Sequence, residues 1–296
     1  MAVLSAITLY GRMIKVSHSV FALPFALSGA ALAAAATGFR FAQLLWIIVA
    51  MMAARSAAMG FNRLADRHLD AANPRTRNRE LPRGVVSTAA VTLLVVISAA
   101  ALVLASYQLN ALCFYLSPVA LVVVFGYSYT KRFTWGSHLA LGLALGLAPL
   151  GAWIAITGQF ALPPVMLGFA VLVWVAGFDI LYSCQDFDHD RRSGLHSVPV
   201  RFGLTGALWI SRMLHLAAVA FMAWLGQALQ MQAIYDVGVI AIAGFLVYEQ
   251  WLVKPDDLTR VNTAFMTTNS IISVSFFAFT LADLLVLGDG LHLLSE

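Results

Sequence analysis

Nine runs of about 20 apolar residues, each long enough to cross a bilayer as one helix, set the strongest limit on how this chain can fold. They lie at roughly 19–38, 42–64, 87–106, 111–130, 138–157, 162–184, 207–228, 232–252 and 265–288. The chain has 296 residues, and its 11% of charged residues is well below the roughly 25% of a soluble domain. No segment between the runs is polar enough to fold as a soluble domain. Residues 1–296 are therefore expected to form a single transmembrane domain.

Arginine and lysine fall in alternate loops: Arg12 and Lys15, the cluster from Arg63 to Arg83, Lys131 and Arg132, then Arg191, Arg192 and Arg201, then Lys254 and Arg260. The intervening loops hold almost none beyond Arg40. Under the positive-inside rule this predicts a cytoplasmic N-terminus and an outside C-terminus, with both long loops, 65–86 and 185–206, in the cytoplasm. The same pattern accounts for the net charge of +4, so nucleic acid is not expected as a partner. The stretch ALAAAATG resembles a signal-peptide cleavage site, but the run before it is long enough to span and is kept as the first helix. Cys113 and Cys184 sit in apolar segments and read as buried small hydrophobes rather than a disulfide.

The two long polar loops resemble each other. One begins NRLADRHLD at Asn62 and the other YSCQDFDHD at Tyr182, and both continue through basic residues to a Pro and a Gly. About 120 residues separate them, which suggests two helical halves facing one another across one site. On a helix, residues four apart lie on nearly one face, so Asn62, Asp66 and Asp70 are expected to form a polar stripe, as are Tyr182, Asp186 and Asp190. Like charges at this spacing repel unless a cation lies between them. Carboxylates paired in this way suit Mg²⁺, which is commonly held by one or two of them together with phosphate oxygens. No Cys/His spacing favours zinc. Either cluster alone could be a solvated helix end with arginine partners. Two clusters matched in spacing, on the same side of the membrane, argue for a shared site.

Arg55 lies within the second run, seven residues before Asn62, where an ionisable group marks a functional site by default. An aspartate of the cluster or a substrate carboxylate could serve as its partner. Lys131 lies four residues after Tyr127 and could clamp phosphate or anchor the helix at the interface. Asp179 sits two turns before the second cluster. His18 enters the first run, where Pro24 could kink the helix. Asp188 and His189 receive no role.

The ordered set of N-x-x-x-D-x-x-x-D at 62–70, YSYTKR at 127–132 and Y-x-x-x-D-x-x-x-D at 182–190, with Asp179 before it, resembles the UbiA superfamily of intramembrane prenyltransferases over nearly the whole chain. The resemblance implies an all-α polytopic membrane protein, about nine transmembrane helices around a central cavity, with both acidic motifs at the cytoplasmic side of a bacterial inner membrane. It implies transfer of a polyprenyl group from polyprenyl diphosphate to a small aromatic acceptor, with membrane lipid around the enzyme. Asp66, Asp70, Asp186 and Asp190, with Asn62, would hold Mg²⁺ and through it the diphosphate. Tyr127, Lys131 and Tyr182 would contact substrate, and Arg55 would meet the acceptor's carboxylate. Asp66 and Asp186 would act in catalysis together with Asp179, the expected acceptor of the ring proton. The fragments SHSVFALPFA and YSCQDFDHDRRSGLHSVPVRFG are most similar to bacterial 4-hydroxybenzoate polyprenyltransferases and to prenyltransferases of the futalosine route to menaquinone. Dihydroxynaphthoate, haem and chlorophyll precursors remain alternative acceptors. A CDP-alcohol phosphotransferase would need a denser Asp-Gly and Ala-Arg motif that is absent here, and a divalent-cation carrier would need acidic residues near mid-membrane.

Overall fold

The computed structural model describes residues 2–287. Its helices are α1 (Ala2–Met13), α2 (Leu23–Thr37), α3 (Phe41–Ala65), α4 (Arg67–Ala72), α5 (Thr88–Leu109), α6 (Ala111–Thr130), α7 (Ser137–Thr157), α8 (Leu162–Ser183), α9 (Phe187–Arg192), α10 (Val198–Ala228), α11 (Ala233–Leu252), α12 (Val261–Thr263) and α13 (Asn269–Val286). Short 3-10 turns at Val16–Phe21 and Cys184–Asp186 and a π-helical stretch at Ala264–Thr268 complete the order. Nine helical segments among the described residues are long and apolar enough to cross a membrane. The chain is an all-α polytopic membrane protein. Side chains such as Ile97, Val122 and Trp251 stay exposed on its flanks, which suits a surface solvated by lipid tails rather than water.

The start of α10 and the role of Pro24 differ from expectation. α10 starts at Val198, nine residues before the apolar run begins. Ser197 caps it by accepting from Val200 N–H, Pro199 lies in its first turn, and the helix bends at Gly203, whose φ of 71° suits glycine. Hydropathy registered only the part beyond the bend. Pro24 does not kink a helix either: it lies in the first turn of α2, where its missing N–H costs nothing.

Small residues bring three helices into backbone contact. Gly142 and Gly146 of α7 lie so close to α8 that a Cβ on Gly142 would come 2.2 Å from Leu172 O and one on Gly146 2.5 Å from Gly168 O. On the other side of α7, a Cβ on Gly29 of α2 would come 2.3 Å from Pro149 O. Without a hydrophobic force between helices in lipid, such close packing is a principal source of their association. It also brings the first turn of α7 beside the last two turns of α8.

The π-helical stretch has a local cause. Asn269 Nδ2 donates to Glu249 Oε1 at 2.7 Å and to the carbonyls of Ala264 and Phe265 at 3.1 and 3.3 Å, so a side chain enters the backbone ladder and widens the turn. Phe265, on that turn, packs against Tyr182, Phe21 and Phe178.

Candidate active site

Both acidic motifs break their helices at the same place. α3 ends at Ala65, Asp66 adopts φ −95° and ψ 8°, and α4 then carries Asp70. α8 gives way to a 3-10 turn, Asp186 adopts φ −97° and ψ 4°, and α9 then carries Asp190. The expected continuous stripes are therefore not formed. Each motif turns at its middle aspartate, and its last aspartate sits on a separate six-residue helix.

Each motif aspartate has a cationic partner. Arg132 Nη2 donates to Asp66 Oδ1 at 3.1 Å and to Ala65 O at 2.6 Å. Asn62 Nδ2 donates to Asp66 Oδ2 at 2.9 Å. Burial raises the Asp66 carboxyl above its ordinary value, and the Arg132 hydrogen bond opposes that rise. Asp70 accepts from Arg79 Nη1 through both oxygens, at 2.7 and 2.8 Å. Asp186 accepts from Asn73 at 3.0 Å and from Arg75 Nε at 2.9 Å, and Arg75 also donates to the Tyr182 hydroxyl. Lys131 Nζ meets Asp190 Oδ2 at 2.7 Å. The loop after the first motif thus reaches across to the second through Asn73 and Arg75, which ties the two halves together.

These groups surround a cavity of about 270 Å³. Six basic side chains line it (Lys15, Arg55, Arg63, Arg75, Arg79 and Lys131) against three carboxylates, Asp66, Asp179 and Asp186. Such a lining favours an anion. Asn62, Tyr127 and Tyr182 also face it, as do His18, His138 and Phe265. Asp70 and Asp190 do not line this cavity, and Asp188 and His189 lie beyond it. Burial among Arg63, Arg79 and Arg75 pushes the Lys15 ammonium down to about 8.

Next to it lies an apolar cavity of about 220 Å³ walled by α2, α3, α5, α6 and α7. The two share Arg55, Met59, Tyr127, Leu141 and Leu145 as a common boundary. The apolar one runs past Ala120 and Leu116 to Cys113, an intermediate-burial free thiol, while Cys184 is free and buried.

Arg55 stands at that boundary without a carboxylate partner among the described residues. Its Nη2 donates to the Lys15 carbonyl at 3.1 Å, while its buried Nε is unpartnered. The aspartate partner considered for it does not occur.

Among the described residues no group of three or more His, Cys, Asp or Glu forms a ready-made metal cage. The oxygens of Asp66, Asp186 and Asn62 nevertheless face one cavity. Hard oxygen donors of this kind fit Mg²⁺ only when substrate oxygens complete its shell. The sequence reading missed Asn73, Arg75, Arg79 and His138. The first three belong to the run NPRTRNRE, whose arginines the sequence offers as topological charge or as unspecified partners of the aspartates.

Residues 22–271 match the UbiA prenyltransferase family. The chain is 31% identical over 243 residues to a 4-hydroxybenzoate octaprenyltransferase of Aliivibrio fischeri, covering 82% of this chain and 85% of that protein. It is 34% identical to one from Edwardsiella ictaluri, covering 77% and 79%. The fold matches the apo structure of a UbiA homolog from Aeropyrum pernix K1 with a TM-score of 0.82 and 33% identity, over 90% of this chain and 98% of that one. A UbiA homolog from Archaeoglobus fulgidus bound to DMAPP and Mg²⁺ shares the fold at a TM-score of 0.73 and 20% identity, over 94% and 99%.

Proposed function

Because the chain belongs to the UbiA prenyltransferase family and is an integral membrane aromatic prenyltransferase, we propose that it transfers a polyprenyl group to 4-hydroxybenzoate in a Mg²⁺-dependent step of quinone biosynthesis. The observation that carries this reading is the pairing of a cationic cavity with an apolar one across Arg55 and Tyr127. A polyprenyl diphosphate has the same division, a trianionic head and a greasy tail. The choice of acceptor is supported by relatives named for 4-hydroxybenzoate.

Asp66 and Asp186, with the Asn62 amide oxygen, would hold Mg²⁺ at the diphosphate, and Asp70 and Asp190 would join them on release from Arg79 and Lys131. Bound there, the ion would neutralise charge developing on the leaving group. Arg75, Lys131 and the Tyr127 hydroxyl donate to the diphosphate oxygens as the allylic C–O bond breaks and its electron pair leaves with the diphosphate. The aromatic ring attacks the allylic carbon, forming the new C–C bond. Asp179 takes the ring proton. Enclosure within the bundle shields the cation from water.

The basic residues at the motif end, from Arg67 to Arg83 and at Lys131 and Arg132, face few charges at the other end beyond Arg40. This favours the motif end and N-terminus in the cytoplasm of a bacterial inner membrane, with the C-terminus outside and residues 1–296 acting as one domain.

The lining also separates this reading from a cation carrier. Six basic groups against three carboxylates should repel Mg²⁺ alone. Calorimetry on purified protein should therefore show weak Mg²⁺ binding without ligand and tight binding of geranyl diphosphate once Mg²⁺ is present. Tight Mg²⁺ binding alone, unaffected by diphosphate, would point to the carrier.

A further inference from the structure

His138 is 3% exposed and sits in the first turn of α7. Its Nδ1 lies 2.7 Å from Asp179 Oδ2. On the other side of the ring, the backbone N–H of Val198 points at Nε2 at 3.3 Å. A backbone amide can only donate, so Nε2 must carry a lone pair and the ring proton must sit on Nδ1. The ring is thereby held neutral and donates to Asp179. Val198 is also the first residue of α10.

We propose that His138 is a positioning residue for the prenyl transfer described above: it fixes the Asp179 carboxylate so that its other oxygen takes the ring proton. This rests on the proposed role of Asp179. With Oδ2 held by His138, no hydrogen bond among the described residues engages Oδ1, and the side chain remains 23% exposed on the cavity wall. In the transfer step the new C–C bond forms, the ring C–H bond breaks and the proton goes to Oδ1. His138 keeps its own proton on Nδ1 throughout, because accepting another at Nε2 would break the Val198 bond.

The backbone carries this arrangement. The close α7–α8 contact through Gly142 and Gly146 sets the distance between His138 and Asp179. The loop from the second motif sets the tautomer, since Leu195 N–H donates to Asp190 O and His196 N–H to Lys131 O just before Val198. Diphosphate-side and acceptor-side groups are thus joined by one short loop.

Two substitutions separate the two bonds of the ring. In His138→Asn the amide nitrogen overlays Nδ1, so the donor to Asp179 remains while the Val198 acceptor is lost. In His138→Gln the terminal atoms overlay Nε2, so the Val198 acceptor remains and the donor to Asp179 is lost. Steady-state kinetics should show kcat of the Gln and Ala variants reduced ~30-fold or more, the order expected for loosening a positioned base, with KM for both substrates within ~3-fold. The Asn variant should retain kcat within ~5-fold, and thermal unfolding of each variant reports folding separately. Equal losses in Asn and Gln, or losses that follow the melting temperature, would reduce His138 to a packing residue. Full activity in Asp179→Asn would instead overturn the role of Asp179, on which the inference rests.

Discussion

Asp186→Asn is expected to lower prenyl transfer by about 10³-fold in protein that still folds. Asp186 is where the two halves meet: it accepts from Asn73 and Arg75 of the first motif's loop while sitting in the turn of the second. Asparagine keeps nearly the same volume and one oxygen for Asn73 and Arg75 Nε, and loses only the bond from Arg75 Nη2 to Oδ2, so the fold should survive. Arg75 loses its counter-charge, but its side chain is 30% exposed, and solvent screening limits the stability cost to about 2 kcal/mol. The chemistry loses more, because a neutral amide replaces an anionic oxygen donor where the diphosphate metal would sit. The Mg²⁺ concentration giving half-maximal rate should rise as kcat falls. A variant within threefold of wild type, with an unchanged Mg²⁺ midpoint, would make Asp186 only the anchor of Arg75.

Arg55→Ala should act on the other substrate. It stands at the boundary between the two cavities, with its Nε buried and unpartnered and no carboxylate among the described residues on it. A cation with an unpartnered buried nitrogen wants an anion, and on the proposed reading the carboxylate of 4-hydroxybenzoate would supply one. The expected result is a KM for 4-hydroxybenzoate raised ~100-fold, with the KM for polyprenyl diphosphate changed less than ~3-fold. That ratio corresponds to about 3 kcal/mol for a lost charge-assisted hydrogen-bonded pair. Arg55→Lys should fall between, since an ammonium keeps the charge without the fork. A rise in the diphosphate KM instead would move Arg55 to the diphosphate and leave the acceptor to be recognised elsewhere.

The bilayer made most of the fold legible. A run of apolar residues in lipid has little choice but to become a helix, so limits such as 111–130 coincide with α6. The exceptions lie at the interface, where water again competes for backbone groups. The start of α10 depends on Ser197, Pro199 and Gly203, which averaged hydropathy does not register. The site was partly legible for a different reason. Asn62, Asp66 and Asp186 were visible because charge beside an apolar run is conspicuous, and Arg55 because it lies within one.

The partners were less visible, because pairing depends on tertiary geometry. Arg75 reaches Asp186 across a sequence separation of 111, and nothing in NPRTRNRE distinguishes it from its neighbours. The break at Asp66 was hidden as well, because spacing of four suits a helix and gives no sign that the helix ends at the middle aspartate. His138 occupies an unremarkable SHLALG stretch. Its meaning depends on Asp179, 41 positions away, and on a backbone amide that no sequence pattern displays.

The most direct test of the central claim is to supply membranes containing the protein with a labelled polyprenyl diphosphate and 4-hydroxybenzoate, and to identify the product by mass with and without chelator. The account predicts a ring-prenylated 4-hydroxybenzoate that forms only with Mg²⁺ and disappears in Asp66→Ala. Folded protein that yields no prenylated product from 4-hydroxybenzoate, or yields the same amount in chelator, would contradict it.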